Sequence, residues 1–315
     1  MLKIHFFNVA EGDAVFLEFE GNGPPFRVLV DTGRRILPES PGSLRHTAAA
    51  HLRKRNISYI DALVLTHLHV DHLQDLPEIL DSVKIGTICS TYFPPDPSMR
   101  IPAVKSELKA VRELPQDLNT LAESVQKAER TGTKLLQVTE DLDLPMDRFY
   151  GKILIRMPAI SSLEFQNAVC DRLFEGLPLS EEDIYRAAKS RNPNSLRLRI
   201  IHSGRSIALD GDYYAEDAEN EPQLPCDILK VAHHGDKKSM TEKLASLLRP
   251  KYAVVSCMRE YDAEKDRPSQ TALGYLRKYG AEIFFTDCFA EAGRQADYHE
   301  EVLIIIDDHG EIKTI

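Results

Sequence analysis

No apolar run in this chain approaches the roughly 18 residues that a membrane span requires, and no repeat or low-complexity tract interrupts it. The five cysteines (Cys89, Cys170, Cys226, Cys257 and Cys288) are scattered, odd in number and never spaced CxxC. A disulfide framework is therefore not expected, and a reducing cytoplasm is. The opening residues, Met1 to Phe7, read directly into a strand without the apolar core of a signal peptide, so neither export nor membrane attachment is expected. Positive charge is in deficit: 39 basic against 49 acidic residues in 315, a net charge of −10. Such a field repels nucleic acid as a non-specific coat, but does not exclude a phosphate held locally by metal ions. With 43% hydrophobic and 28% charged residues, the composition is that of an ordinary globular chain, not a disordered or collagenous one.

What is present reads as strands and helices in layers. Ile4, Phe6 and Asn8, then Ala14 to Phe19, alternate as an antiparallel hairpin. A turn is expected over Gly21-Asn22-Gly23-Pro24-Pro25. Arg27–Asp31 and Ala62–Thr66 are buried strands, with helices expected around His46–Lys54 and Leu76–Ser82. From about 101 to 144 the chain becomes rich in Lys, Glu, Leu and Ala. Helical spacing there is expected at Ala103–Val111, with Val104, Leu108 and Val111 on one face, and again at Leu121–Ala128. A second helical patch follows Pro178, opened by a Ser180…Asp183 capping signal. Strands resume at 195–201, 206–209, 227–231, 253–256, 282–286 and 302–306. Two groups of strands with helices between and after them suggest an α/β layered sandwich.

Eleven histidines occur, and five lie in two tight clusters. The first, Thr66-His67-Leu68-His69-Val70-Asp71-His72, leaves a buried strand. Donors at i, i+2, i+4 and i+5 on such a loop can converge on one point, and imidazole with carboxylate suits Zn²⁺, with Mn²⁺ or Fe²⁺ also accepted. The second is Asp210-Gly211-Asp212 followed by His233-His234-Gly235, each again after an apolar strand. Taken alone, Asp212 is as easily a turn residue as a ligand. Beside the first cluster it supplies what a two-metal site lacks.

These residues resemble the metallo-β-lactamase fold hydrolases, and within them the hydrolase domain of the ComEC competence proteins and its free-standing relatives. Asn8–Ala14 resembles that group's opening VGQGDA, Asp31-Thr32-Gly33 its DTG, and Asn194–Leu198 its NxSLVL strand. Leu209–Asp212 is similar to LxGD, Asp227–Gly235 to DVLKVxHHG, and Arg249–Ser256 to the strand before the last helix. The resemblance implies a four-layer αβ/βα sandwich as a single hydrolase domain over 1–315, with helical insertions at about 101–144 and 161–192. It implies two divalent ions, Zn²⁺ before Mn²⁺. His67 and His69 would serve one ion, Asp71 and His72 the other, and Asp212 would bridge, with either His233 or His234 closing the second site. Asp31 and Asn194 would stand behind the ligands, Asp31 orienting a histidine through its free ring N–H.

A departure is that the family's GHP reads Asp266-Arg267-Pro268 here, and a permanent guanidinium favours an anion nearby. The expected chemistry is phosphodiester hydrolysis by activated water, with Asp71 and Asp212 as the catalytic carboxylates. Lys237, Lys238, Tyr213 and Arg267 are the expected substrate contacts, with Tyr214 as the alternative tyrosine. The expected substrate is a phosphodiester or other small molecule, or single-stranded nucleic acid. Two rivals stand beside this reading. One is a thioester or lactone hydrolase on the same site, since fold does not fix chemistry. The other is a metal-stabilised, non-catalytic module whose helical insertions bind a protein partner.

Overall fold

The computed structural model describes residues 1–260, 266–287 and 299–315, so Cys288 lies outside the described residues. Six strands come first: β1 (Leu2–Phe7), β2 (Val15–Gly21), β3 (Gly23–Val30), β4 (Tyr59–Val64), β5 (Lys84–Ser90) and β6 (Lys134–Gln137). Seven more build a second sheet: β7 (Leu142–Met146), β8 (Gly151–Arg156), β9 (Arg197–His202), β10 (Arg205–Leu209), β11 (Ile228–Lys230), β12 (Tyr252–Val255) and β13 (Glu282–Phe285). The chain then returns to the first sheet with β14 (Glu301–Ile306) and β15 (Ile312–Thr314), giving the order β15-β14-β1-β2-β3-β4-β5-β6. The second sheet runs β13-β12-β11-β10-β9-β8-β7. Both sheets are mixed: β3 to β6 and β10 to β13 pair in parallel, and the remaining neighbours are antiparallel.

Period-two alternation sorts the side chains into layers. Leu2, Ile4 and Phe6 of β1 meet Leu198 and Ile200 of β9 in an apolar layer between the sheets. On the far side of the first sheet, Phe7, Leu29 and Leu63 pack under helices α1 (Ala48–Lys54), α3 (Leu76–Ser82), α4 (Lys109–Arg130), α5 (Ile160–Phe174) and α6 (Glu181–Lys189). The one-turn helix α2 (Val70–Leu73) precedes α3. On the far side of the second sheet lie α7 (Ala215–Ala218), α8 (Glu242–Leu248) and α9 (Gln270–Lys278). Three apolar layers separate four structural ones, an α/β sandwich. Cys89, Cys170, Cys226 and Cys257 are buried in these layers.

The structure corrects several sequence expectations. The first turn tightens to Asn22, because β3 already begins at Gly23 and carries Pro24 and Pro25 within it. The helix expected from Ala103 begins only at Lys109. Leu108 N–H donates to Ser106 Oγ, a local turn that competes with helix, and Leu108 is exposed. The buried face of α4 is instead Val111, Leu114, Leu118, Leu121 and Val125. Beyond α4 the stretch to 144 is not helical either. It supplies β6 and β7, one edge strand to each sheet, so α4 is the crossover of a parallel β5–α4–β6 unit. Helices α5 and α6 stand between the antiparallel neighbours β8 and β9, and Ser180 caps α6 by accepting from Asp183 N–H.

Asp75 joins α1 to α3 and gives a testable pH effect. Its side chain is buried and accepts from Ala49 N–H at 2.7 Å, and burial pushes its carboxyl up to about 7. The folded form therefore binds a proton more tightly than the unfolded chain. The stability this contributes is complete below about pH 4 and is lost as the pH rises through about 7. Asp75→Asn, which keeps an acceptor, is expected to gain on the native protein over that window by up to about 4 kcal/mol, at about 1.4 kcal/mol per unit. Urea unfolding at pH 5 and pH 8 checks it; a pH-independent difference refutes it.

Candidate metal centre

The two histidine clusters meet at one edge between the sheets. Asp31 directly follows β3 and Thr66 follows the parallel neighbour β4, so they lie side by side. Thr66 N–H and Oγ1–H both donate to the Asp31 carboxylate at 2.7 Å. The other Asp31 contact is His72 Nδ1–H, at 2.8 Å, which turns Nε2 toward the centre. Asp31 thus stands where the resemblance places it. Gly12 lets the N-terminal loop close on this turn, because a Cβ there would sit 2.6 Å from the Asp71 carbonyl. Asp13 N–H then donates to that carbonyl at 3.1 Å. Gly211 does the same for the second cluster: a Cβ there would meet Thr66 Cβ at 2.9 Å.

Beyond β11 the chain turns sharply. His233 (φ 46°) and His234 (φ 54°) are successive non-glycine residues in the left-handed region, followed by Gly235 (φ 74°). Left-handed backbone costs roughly 1–2 kcal/mol for each such residue. The turn sends the two imidazoles different ways. His234 is fully buried, with Nε2 3.2 Å from Asp71 Oδ2 and 3.9 Å from Asp212 Oδ1. His233 faces the cleft, where its Nε2 accepts from Arg267 at 2.8 Å and from Asn192 at 3.1 Å, with Asp236 2.9 Å from its Nδ1. Of the pair, it is His234 whose ring joins Asp71 and His72 in a cluster of possible donors, while His233 Nε2 stands 3.7 Å from Asp212 Oδ2.

Two three-donor groups result: His67, His69 and Asp212; and Asp71, His72 and His234. Asp212 touches both, with Oδ2 3.7 Å from His67 Nε2 and Oδ1 3.3 Å from His72 Nε2. These donors fit divalent cations. His72 Nε2, Asp212 Oδ1 and both ring nitrogens of His234 are buried with no hydrogen-bond partner, which polar atoms rarely tolerate. His67 Nε2 and His69 Nδ1 approach each other to 2.8 Å, within hydrogen-bond distance. Burial holds both of these imidazoles well below their ordinary range, hence neutral. Against burial, the neighbouring His72 and His233 hold the Asp212 carboxyl well below its usual range, and the nearby His234 ring does the same for Asp71. Burial would also lower His72, but Asp212 and Asp31 outweigh it and raise it. An ion held at His72 Nε2 would have to displace a proton there, so its binding would strengthen with pH.

One contributor carries no signal of its own in the sequence. Asp13 forms a third possible group with His72 and Asp212, and its Oδ1 lies 3.6 Å from His234 Nδ1. Its other oxygen is ion-paired with Lys230, and both side chains are buried. The GDA triplet contains Asp13, but only the fold reveals the lysine 217 residues away.

Other expectations shift. Tyr213 is buried in the outer layer of the second sheet and its hydroxyl donates to Glu221 at 2.6 Å, so it does not face the cleft. Tyr214 does, with Lys238 4.4 Å over its ring. Asn194 gives its amide N–H to Gln166 at 2.9 Å and not to a ligand; Asn192 is the asparagine that reaches the site. Arg267 is no free phosphate anchor. It is buried, ion-paired with Glu11 and bonded to His233. Lys237 and Lys238 are exposed on the rim as expected.

The cleft over the centre has a volume of 390 Å³ and takes its walls from several elements. The N-terminus of α4 brings Lys109 and α6 brings Lys189. The turn after His234 brings Lys237 and Lys238. No helix among the described residues is long and apolar enough to cross a membrane.

Residues 12–145 match the metallo-beta-lactamase superfamily model. The chain is 26% identical over 301 residues to ComE operon protein 3 of Bacillus subtilis (strain 168), covering 90% of this chain but only 32% of that protein's length. Among solved structures, the metallo-beta-lactamase fold protein YhfI from Bacillus subtilis shares the fold with a TM-score of 0.50. It is 10% identical, with 94% of this chain and 97% of that one covered. The arrangement of sheets is that of the metallo-beta-lactamase fold, residues 12–145 with their histidine loop are similar to that superfamily, and over most of its length the chain is similar to ComE operon protein 3.

Proposed function

We propose that this protein is a metal-dependent phosphodiesterase. The observation that carries the reading is the cleft's lining. Lys189, Lys237, Lys238 and Lys109, the last paired with Glu113, line it together with the acidic Glu11 and Asp236, while its apolar members are Val70, Ala110, Ala188 and the ring of Tyr214. An acyl-bond substrate such as a thioester would need an apolar wall, and the helices that could have supplied one present charged residues instead, Lys109 and Glu113 from α4 and Lys189 from α6. A scaffold without catalysis has no use for buried donors left open toward a cleft.

His67, His69 and Asp212 would hold one divalent ion, and Asp71, His72 and His234 a second, with Asp212 shared and Zn²⁺ or Mn²⁺ suited to the donor set. Such a pair supplies Lewis acidity and water of lowered pKa at neutral pH. The chain supplies the rest. Asp31 fixes the tautomer of His72. Lys189, Lys237 and Lys238 compensate the charge of a phosphate group, and Arg267, held by Glu11, fixes His233 at the cleft. Tyr214, not Tyr213, is the phenol placed to donate to a leaving oxygen.

The test is hydrolysis of bis(p-nitrophenyl) phosphate by protein reconstituted separately with Zn²⁺ and Mn²⁺, with Asp212→Ala as the blank. Turnover above the blank supports the reading and directs the search to single-stranded nucleic acid and nucleotide diesters. Silence from protein shown to be metal-loaded overturns it in favour of acyl substrates.

A further inference from the structure

Arg191 has the largest of the fully buried side chains, at 1% exposure, and nothing in the sequence marks it. It lies just beyond the C-terminus of α6, and its guanidinium joins three segments. Nε–H donates to the Ala188 carbonyl at 3.1 Å, in the last turn of α6. Nη1–H donates to the Leu68 carbonyl at 2.8 Å, and the same nitrogen is ion-paired with Asp117 of α4. Leu68 is the residue between His67 and His69. The backbone of the histidine loop is thus tied, through one side chain, to two helices of the outer layer.

The two metal groups differ in how they are otherwise secured. In the second, His72 is held by Asp31, and the Asp71 carbonyl by Asp13 N–H. In the first, Arg191 ties the His67–His69 backbone, at the Leu68 carbonyl, to elements outside the loop's own strand and helix. A planar guanidinium suits the task, because its fork meets two carbonyls and a carboxylate at once where an ammonium has one charged point.

We infer that Arg191 is a positioning residue for the first metal group: by fixing the Leu68 carbonyl against α4 and α6, it sets the affinity of the His67–His69–Asp212 group without touching the ion. The inference rests on the metal-centre reading above. It also gives the helices between β8 and β9 a role at the centre beyond lining its cleft.

Titration of the metal-free protein with Co²⁺, followed by visible absorbance, tests this in native, Arg191→Met and Arg191→Lys proteins. His69→Ala identifies which binding step belongs to the first group. The native protein should take up two ions per chain. In Arg191→Met the first-group step should weaken about 10–100-fold, the range for losing an outer partner of a ligand, while the second-group step stays unchanged. Arg191→Lys keeps a cation opposite Asp117 and is the variant to rely on should the methionine protein fail to fold; it should show the same selective weakening to a lesser degree. Native affinity at both steps in folded Arg191→Lys, or equal weakening of both, overturns the inference and leaves Arg191 a structural staple. A native protein that takes up no Co²⁺ overturns the metal-centre reading itself, an outcome distinct from either.

Discussion

Asp212→Ala is expected to abolish phosphodiester hydrolysis and to remove the cooperation between the two metal groups, because this carboxylate faces both. Losing a partner one step removed from a metal already weakens binding or activity about 10–100-fold. Losing the shared ligand should exceed that, so a fall of at least about 100-fold is the minimum. Folding should survive. Burial opposes the Asp212 charge in the metal-free protein, and only the surrounding histidines keep it ionised. Thermal unfolding with and without added Zn²⁺ provides the control. A ligand that binds only the folded form raises its stability by mass action, so the native protein should melt higher with metal while Asp212→Ala responds weakly or not at all. An alanine variant with native turnover would remove the shared carboxylate from the mechanism.

The second large effect concerns stability. Lys230 and Asp13 form an ion pair with both side chains buried, one at the end of β11 and the other in the loop before β2. Breaking such a pair from one side leaves an uncompensated charge and typically costs about 3–5 kcal/mol. Lys230→Met should lose that much in urea unfolding of the metal-free protein, whereas Lys230→Met combined with Asp13→Asn should recover part of it. The recovery separates a charge penalty from lost packing. If the double variant is as unstable as the two single losses added together, the pair contributes no coupling and the charge argument is wrong.

Much of the centre was legible before any coordinates. His67, His69, Asp71 and His72 lie within six positions, and loops leaving parallel strands bring such donors to one edge, so local spacing carried the message. Asp212 and the His233–His234 pair were readable because each follows an apolar strand, though the spacing could not choose within the pair. The residues that escaped are held by contacts across the fold. Asp13 meets Lys230 over 217 residues, and Arg191 meets Leu68 over 123. The tyrosine was misassigned for a local reason: neighbours along an extended chain point to opposite sides, so Tyr213 enters the core as Tyr214 enters the cleft. The strands that went unseen are weakly patterned. β5 spaces its apolar residues unevenly around Gly86, and β7 is an edge strand carrying Pro145, which edge strands tolerate because no neighbour needs its missing N–H.

The return of β14 to pair with β1 has a consequence in time as well as in space. During synthesis the early donors emerge long before the late ones. At about 5–20 residues per second, the interval from His72 to Asp212 is roughly 7–30 s. Throughout it, the nascent chain holds half a cluster, with Asp31 and Asp71 present and neither Lys230 nor His234 made. The first sheet cannot close over β1 until residue 306 has left the ribosome. The complete donor set therefore exists only once His234 has been made, and a chain interrupted before residue 234 carries the histidine loop without the means to complete it.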